Sequence, residues 1–441
     1  MAGNMKEKVL AEFREKYGAD GETACYFAPG RINLIGEHTD YNGGHVFPCA
    51  LTFGTYVAVR KRSDDVLRLA SVNFPKDGVI TGSLADLAPL SDDSWTAYVK
   101  GVIWAVMNST DAPQAITGMD IMIGGDVPAG AGLSSSASLE VAVGYMLSDQ
   151  FGLGLSNVNN ALLGQRAEND FVGVNCGIMD QFASAMGKKD HAIFLDTNTL
   201  EYEYVPLALE DCSIIITNTN KPHSLNDSAY NDRRRECGEA LDEINAILSG
   251  GAPEADAVTE AVGNPDGAGD PEAVADAEGA GDPEAVADPE AVGTQTVNSL
   301  CSLSKEDFDW AADKMSDEVV MRRARHAVTE DQRTRSAVEV LQDGDIAAFG
   351  RLMNASHVSL RDDYEVSCPE LDLLAETAWE IPGVLGSRMT GGGFGGCTVS
   401  IIKNSSVSEY EEAAGRKYRE AFGYDCTFIP AAAGDGPSRV Y

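Results

Sequence analysis

A strand-like segment, Met119 to Ile123, runs straight into Gly124-Gly-Asp-Val-Pro-Ala-Gly-Ala-Gly-Leu-Ser-Ser-Ser-Ala-Ser138 and on into an apolar helical pattern. Nothing else in the chain restricts its fold so much. Gly130 and Gly132 allow backbone angles and close approach that a Cβ forbids. Ser134, Ser135 and Ser136 then open a helix whose free N–H groups and dipole favour a polyphosphate. Their hydroxyls can reach phosphate oxygens or a metal, although a Gly/Ser turn with a serine cap has the same local signature. The loop has no Walker lysine and no G-x-G-x-x-G, which excludes a P-loop NTPase and a dinucleotide fingerprint.

Around this loop the pattern is mixed. Strands are expected at 53–60, 67–70, 191–195 and 212–217, and helices at 96–108, 136–151, 157–171, 230–248, 345–357 and 406–422. Strands come in pairs rather than alternating with helices, which predicts an α+β fold and not a doubly wound sheet. The 441 residues suffice for two domains. The formal charge of −36 opposes nucleic acid and anionic membrane as partners, so any phosphate must be held locally. Part of that charge is concentrated at 250–297, a stretch of mainly Ala, Gly, Pro, Asp, Glu and Val without Lys, Arg or aromatic residues. There Gly267–Asp276 recurs as Gly279–Asp288 with a twelve-residue period. Too apolar-poor to offset its ordering entropy, it is expected to be a solvated linker, dispensable for turnover. Without its twelve acids the remainder still carries about −24. Nine scattered cysteines with no C-x-x-C fit reduced thiols in a cytoplasmic protein better than disulfides or zinc. The first residues show no apolar export signal, and no run is long enough to span a membrane.

Ala28 to Gly44 places Arg31, Glu37, His38 and Asp40 within ten residues, among glycines and turn formers. The apolar Ile32, Leu34 and Ile35 between them argue for partial burial, and buried carboxylates need donors such as polyol hydroxyls. A purely structural role and a metal site remain open, although calcium and zinc loops use other spacings. Gly177-Ile-Met-Asp180-Gln-Phe follows Glu168. A lone Asp there is a helix cap or the carboxylate that phosphoryl transfer to an alcohol requires. Glu168 and a serine hydroxyl would suit Mg²⁺. Met389-Thr-Gly-Gly-Gly-Phe-Gly-Gly-Cys397 has five glycines in six residues, a tight turn or a site of close backbone approach.

Taken together, 31–44, 127–138 and 389–397 resemble the three motifs of the GHMP small-molecule kinases, in that order. Gly30-Arg-Ile-Asn-Leu-Ile-Gly-Glu-His-Thr-Asp-Tyr-Asn-Gly-Gly44 is similar to the signature of the galactose-phosphorylating branch, supported by 176–181, 230–237 and 356–367. The resemblance spans nearly the whole chain, and the acidic repeat is a departure from the family pattern. It implies a two-domain GHMP kinase fold, with an N-terminal ribosomal S5 domain 2-like unit over 1–205. A ferredoxin-like unit would follow over 206–441, with the active site between them.

The resemblance also implies roles. Asp180 matches the catalytic aspartate, and Arg31 the arginine that stabilises the moving phosphoryl group and keeps that aspartate ionised. Glu37, His38, Thr39, Asp40, Gly177 and Tyr230 match sugar contacts. Gly130, Ala131, Gly132, Leu133, Ser134, Ser135 and Ser136 match the phosphate loop, and Ser136 with Glu168 the magnesium ligands. Trp95 and Tyr98 resemble an aromatic pair near adenine. The activity implied is ATP- and Mg²⁺-dependent phosphorylation of the C1 hydroxyl of galactose, the entry to the Leloir pathway, by a cytoplasmic monomer. Glu37 and Asp40 are both candidates to read the axial 4-hydroxyl. N-acetylgalactosamine or arabinose as substrate, and a sugar-responsive regulator without turnover, are the competing readings.

Overall fold

The computed structural model describes residues 2–90, 94–110, 113–128, 130–221, 226–250 and 296–441, so the predicted linker lies almost wholly outside the described residues. The first unit is built from α1 (Ala2–Tyr17), β1 (Ala24–Asn33), β2 (His45–Val46), β3 (Pro48–Lys61), β4 (Val66–Ser71), β5 (Ile80–Ser83), α2 (Thr96–Met107), β6 (Met119–Gly125), α3 (Ser135–Phe151), α4 (Asn157–Arg166), α5 (Met179–Met186), β7 (His191–Asp196) and β8 (Tyr202–Pro206). The second contains β9 (Cys212–Asn218), α6 (Asn226–Leu248), α7 (Lys305–Ala312), α8 (Glu318–Gln342), α9 (Ile346–Asp362), α10 (Pro369–Trp379), β10 (Val384–Thr390), β11 (Cys397–Lys403), α11 (Val407–Phe422) and β12 (Thr427–Ala431). A last strand, β13 (Ser438–Arg439), returns to the first sheet.

That sheet has the order β13-β1-β3-β6-β4-β5, with β4 and β6 parallel and the other pairs antiparallel. It is covered on both faces. Along β3, Tyr56 and Ala58 meet Val9, Leu10 and Phe13 of α1, while Val57 and Val59 face the core formed with α2 and α3. Alternate side chains therefore both go inside, which is why these strands read as apolar runs. A short sheet, β2-β7-β8, adjoins this unit.

The second unit holds an antiparallel sheet in the order β10-β11-β9-β12. Ile215 and Ile402 pack on α10 and α11, and Ile214, Ile216, Val399 and Ile401 share a core with Phe349 and Met353 of α9. The strands expected at 53–60, 67–70, 119–123, 191–195 and 212–217 all lie inside observed strands, and the α+β class holds. Past α4 the helix widens into a π turn over Ala167–Val172, which carries Glu168. Such widening is frequent at functional sites.

Candidate active site

A cleft of about 710 Å³ opens where the two units meet, a volume suited to a small-molecule ligand. Every residue from Gly130 to Ser136 lines it, together with Arg31, Glu37, His38, Asp40, Glu168, Gly177, Asp180 and Tyr230. The second glycine loop, 391–396, lines it too.

Arg31 lies two residues before the end of the long strand β1 (Ala24–Asn33), and its backbone N–H donates to the Leu133 carbonyl at 3.2 Å. Its Nη1 donates to the Gly132 carbonyl at 2.6 Å, while Nε and Nη2 both reach Asp180 Oδ1, at 2.9 and 2.8 Å. Asp180 lies in the first turn of α5 but caps nothing there. Its second oxygen, Oδ2, accepts from the Ser134 hydroxyl at 2.5 Å. Ser134 precedes α3 in the left-handed region, φ 58°, and makes no cap with its side chain. The strained backbone thus turns the hydroxyl to Asp180 and leaves the first N–H groups of α3 to the cleft.

The two glycine loops meet backbone to backbone. A Cβ on Gly391, at φ +84°, would lie 2.7 Å from the Gly132 carbonyl, and one on Gly396 would lie 3.1 Å from that of Ala131. Side chains here would separate the phosphate loop from β10 and β11.

The charged segment turns between β1 and β2. Glu37 is 1% exposed and fully engaged by protein: Oε2 accepts from Asn33, and Oε1 from the Gly391 N–H at 2.7 Å and Arg388 Nη1 at 3.4 Å. Asp40 is partly exposed to the cleft, and its carboxylate presses on Gly177, where a Cβ would sit 2.0 Å from Oδ2. Burial, reinforced by the Asp180 and Glu37 charges, pushes the Asp40 carboxyl up to about 7. Tyr230 lines the same wall, its ring 5.8 Å from His38 and 5.6 Å from Tyr41.

Glu168 and Ser136 both face the cleft. Burial and the Asp180 charge raise Glu168 to about 7. Behind it lies Glu140, fully buried, and Gln181 Nε2 bridges the two at 2.9 and 2.7 Å. Glu140 Oε1 has no partner. Crowded carboxylates with an unsatisfied buried oxygen are short of positive charge, so the donor set fits a hard cation. Among the described residues no cluster of three metal-binding side chains occurs. A magnesium ion held by one carboxylate, one hydroxyl and phosphate oxygens does not need one.

Two residues expected in the site are not brought to the cleft. The Thr39 hydroxyl is 2.8 Å from the carbonyls of Gly36 and His45 and fastens the turn itself. Trp95 stacks on Phe74 at 6.1 Å and donates its indole N–H to Asp77, while Tyr98 does line the cleft. Sequence reasoning gave no role to Asn33, Arg388 or Gln181, which hold the lining carboxylates Glu37 and Glu168, or to Glu140 behind them. Only Gln181, next to Asp180, carried a local signal.

Family models match the chain in three places: a galactokinase galactose-binding signature over residues 11–61, a GHMP kinase N-terminal domain over 97–188 and a GHMP kinase C-terminal domain over 337–420. A galactokinase of Clostridium perfringens is 44% identical over 432 residues, covering 98% of this chain and 99% of its own. One of Fusobacterium nucleatum is 44% identical over 436 residues, covering 99% and 100%. The crystal structure of Lactococcus lactis galactokinase complexed with galactose superposes with a TM-score of 0.85 at 42% identity, over 98% of this chain and 99% of that one. Methanococcus jannaschii mevalonate kinase, at 15% identity and a TM-score of 0.57, shares the fold.

Proposed function

The chain belongs to the galactokinase family of the GHMP kinases, and from that premise we propose how its cleft moves the γ-phosphoryl group of ATP to the C1 hydroxyl of α-D-galactose, giving galactose 1-phosphate and ADP. One observation carries the reading: Asp180, held at one oxygen by Arg31 and at the other by Ser134, stands between the phosphate loop and Asp40.

Phosphoryl transfer asks a protein for position and charge rather than covalent chemistry. Asp180 orients the C1 hydroxyl and accepts its proton, at an oxygen that Ser134 releases or shares. Arg31 faces both the aspartate and the loop, where its guanidinium meets the negative charge on the phosphoryl oxygens. The open N–H groups of α3 and the backbone of 130–136 hold the β- and γ-phosphates. Ser136 and Glu168 would hold magnesium, which when bound neutralises phosphate charge.

For sugar recognition the geometry favours Asp40 over Glu37 as reader of the axial 4-hydroxyl. Both Glu37 oxygens are committed to protein donors, whereas Asp40 faces the cleft across a residue that must be glycine. An epimer that leaves a buried carboxylate unpaired costs roughly 1–3 kcal/mol. Tyr98 is assigned to the adenine side of the cleft. The working division is 1–205 and 206–441, with the last strand joined to the first unit. All nine cysteines are free thiols, which supports a reducing, cytoplasmic setting, and we take the active form as a monomer. Among the described residues no helix is long and apolar enough to cross a membrane.

The test is ADP release with Mg²⁺-ATP against galactose, N-acetylgalactosamine, glucose and arabinose. Turnover on galactose far above glucose supports the reading. ATP binding without turnover on any sugar would replace it with that of a sugar-responsive regulator.

A further inference from the structure

His38 lines the cleft with 4% of its surface exposed, at φ 63°, and its Nε2 has no hydrogen-bond partner in the protein. Its other ring nitrogen begins a row of hydrogen bonds leading away from the cleft. Nδ1 is 2.7 Å from the Tyr41 hydroxyl, which is 2.8 Å from the Tyr364 hydroxyl, which is 3.0 Å from Cys237 Sγ. The Asn42 amide closes the row, donating to the His38 carbonyl at 2.7 Å and to Cys237 Sγ at 3.7 Å.

Each hydroxyl and the thiol have one proton, so the row can run in two directions. In one, the thiol donates to Tyr364, Tyr364 to Tyr41 and Tyr41 to Nδ1, which leaves Nε2–H aimed at the cleft. In the other, Nδ1–H donates to Tyr41, Tyr41 to Tyr364 and Tyr364 to the sulfur. The sulfur would then take a second donor besides Asn42, while its own proton has no acceptor in the row.

Length and chemistry select the first direction. A separation of 2.7 Å suits an O–H donor, since N–H donors prefer about 2.9–3.0 Å. Sulfur is a weak acceptor, and oxygen and imidazole nitrogen are better places for the two phenol protons. A doubly protonated ring is also disfavoured: burial lowers His38 to about 3, and neighbouring His326 and the Arg388 charge act the same way against the opposing Gly392 backbone.

We infer that Tyr41, Tyr364 and Cys237 are positioning residues that fix His38 as its Nε2–H tautomer, so that the cleft offers the sugar a donor at this point. The inference rests on the sugar-binding reading above and adds a rule to it. Asp40, on the same wall, accepts, and His38 donates. The wall therefore selects an uncharged polyol whose oxygens give a proton to one group and a lone pair to the other. An amino sugar carrying an ammonium in place of that hydroxyl has no lone pair for His38 and is rejected.

The test is ¹⁵N NMR of the histidine rings in the full chain, with His38 assigned through His38→Gln. The expected result is an unprotonated Nδ1 and a protonated Nε2, shifting toward a tautomer mixture in Tyr41→Phe. That variant should raise KM for galactose about tenfold, the worth of one hydrogen bond, with kcat and KM for ATP within about twofold. A protonated Nδ1 in the unaltered chain, or an unchanged tautomer in Tyr41→Phe, would overturn the inference. Should Tyr41→Phe not fold, Cys237→Ser is expected to keep the tautomer and Cys237→Val to lose it, and equal behaviour of the two would count against the relay. If no sugar is phosphorylated at all, the ring measurement still decides the relay, and the loss of turnover counts against the kinase reading alone.

Discussion

Arg31 places two of its nitrogens, Nε and Nη2, on a single oxygen of Asp180, at 2.9 and 2.8 Å, while its third holds the Gly132 carbonyl at 2.6 Å. The guanidinium fork thereby fixes the distance between the aspartate and the phosphate loop.

Asp180→Asn should lower kcat by about 10²–10⁴-fold with KM values little changed, because the amide keeps the shape but cannot take a proton. Arg31→Lys should cost kcat about 10²-fold, since one ammonium cannot span Oδ1 and the loop carbonyl. ADP release at saturating substrates reads both. Retention of more than a tenth of the activity in Asp180→Asn would refute the role assigned to that residue.

Asp40 should couple activity and stability to pH in opposite senses. Its carboxyl is raised from 3.8 to about 7, so between those values the folded protein keeps a proton that the unfolded chain loses. Stability from this group is full at low pH and falls as pH rises through that window. Asp40→Asn should therefore raise Tm at pH 8, leave it nearly unchanged near pH 4, and sharply weaken galactose binding. In the unaltered chain, kcat/KM for galactose should fall below about pH 7 as the acceptor is protonated. Equal Tm shifts at both pH values would contradict this.

Gly391→Ala places a Cβ 2.7 Å from the Gly132 carbonyl, at a φ of +84°. It should destabilise the protein by about 1–3 kcal/mol and raise KM for ATP, because the phosphate loop loses its backing. Gly82→Ala, with open space around its Cβ, is the control and should change KM for ATP little. Denaturant midpoints and initial rates give the two readouts.

Arg388 is fully buried against Glu37, with Nε and Nη2 unpartnered, and its charge also acts on Glu330. Arg388→Ala should cost about 3–5 kcal/mol, since it leaves buried Glu37 without its counter-charge, while Glu330 keeps Arg333. Arg439→Ala, whose ion pairs are exposed, should cost no more than about 1 kcal/mol. A urea titration that ranks them the other way would show that Arg388 does not balance the core.

The cleft was legible where chemistry is contiguous in the chain. Gly124–Ser138 and Ala28–Gly44 each carry their turn residues, polar groups and apolar anchors within one short stretch. What holds those groups was hidden, because it arrives from far away: Arg388 reaches Glu37 across 351 positions, and His326 reaches the Glu37 carbonyl across 289. Helix α8 also escaped notice. Its inward face carries Arg323, Glu330 and Asp331, so the apolar period that marks a helix in sequence is broken by the charges that make it useful. Trp95 carried the weakest signal of the expected residues. An aromatic beside a helix start is a weak signal, and Phe74 with Asp77 claims it outside the cleft.

The pairing of Tyr26 with Arg439 and of Phe27 with Ser438 gives the first strand its outer neighbour from the far end of the chain. During synthesis, the first part of the strand that carries Arg31 must therefore wait with its outer edge unpaired until residues 438–441 have left the ribosome. An open edge is a place where a nascent chain can join the wrong partner. The first unit cannot finish before the second has been made, and a ribosome stalled late in the message would leave a nearly complete protein with its catalytic strand still exposed on one side.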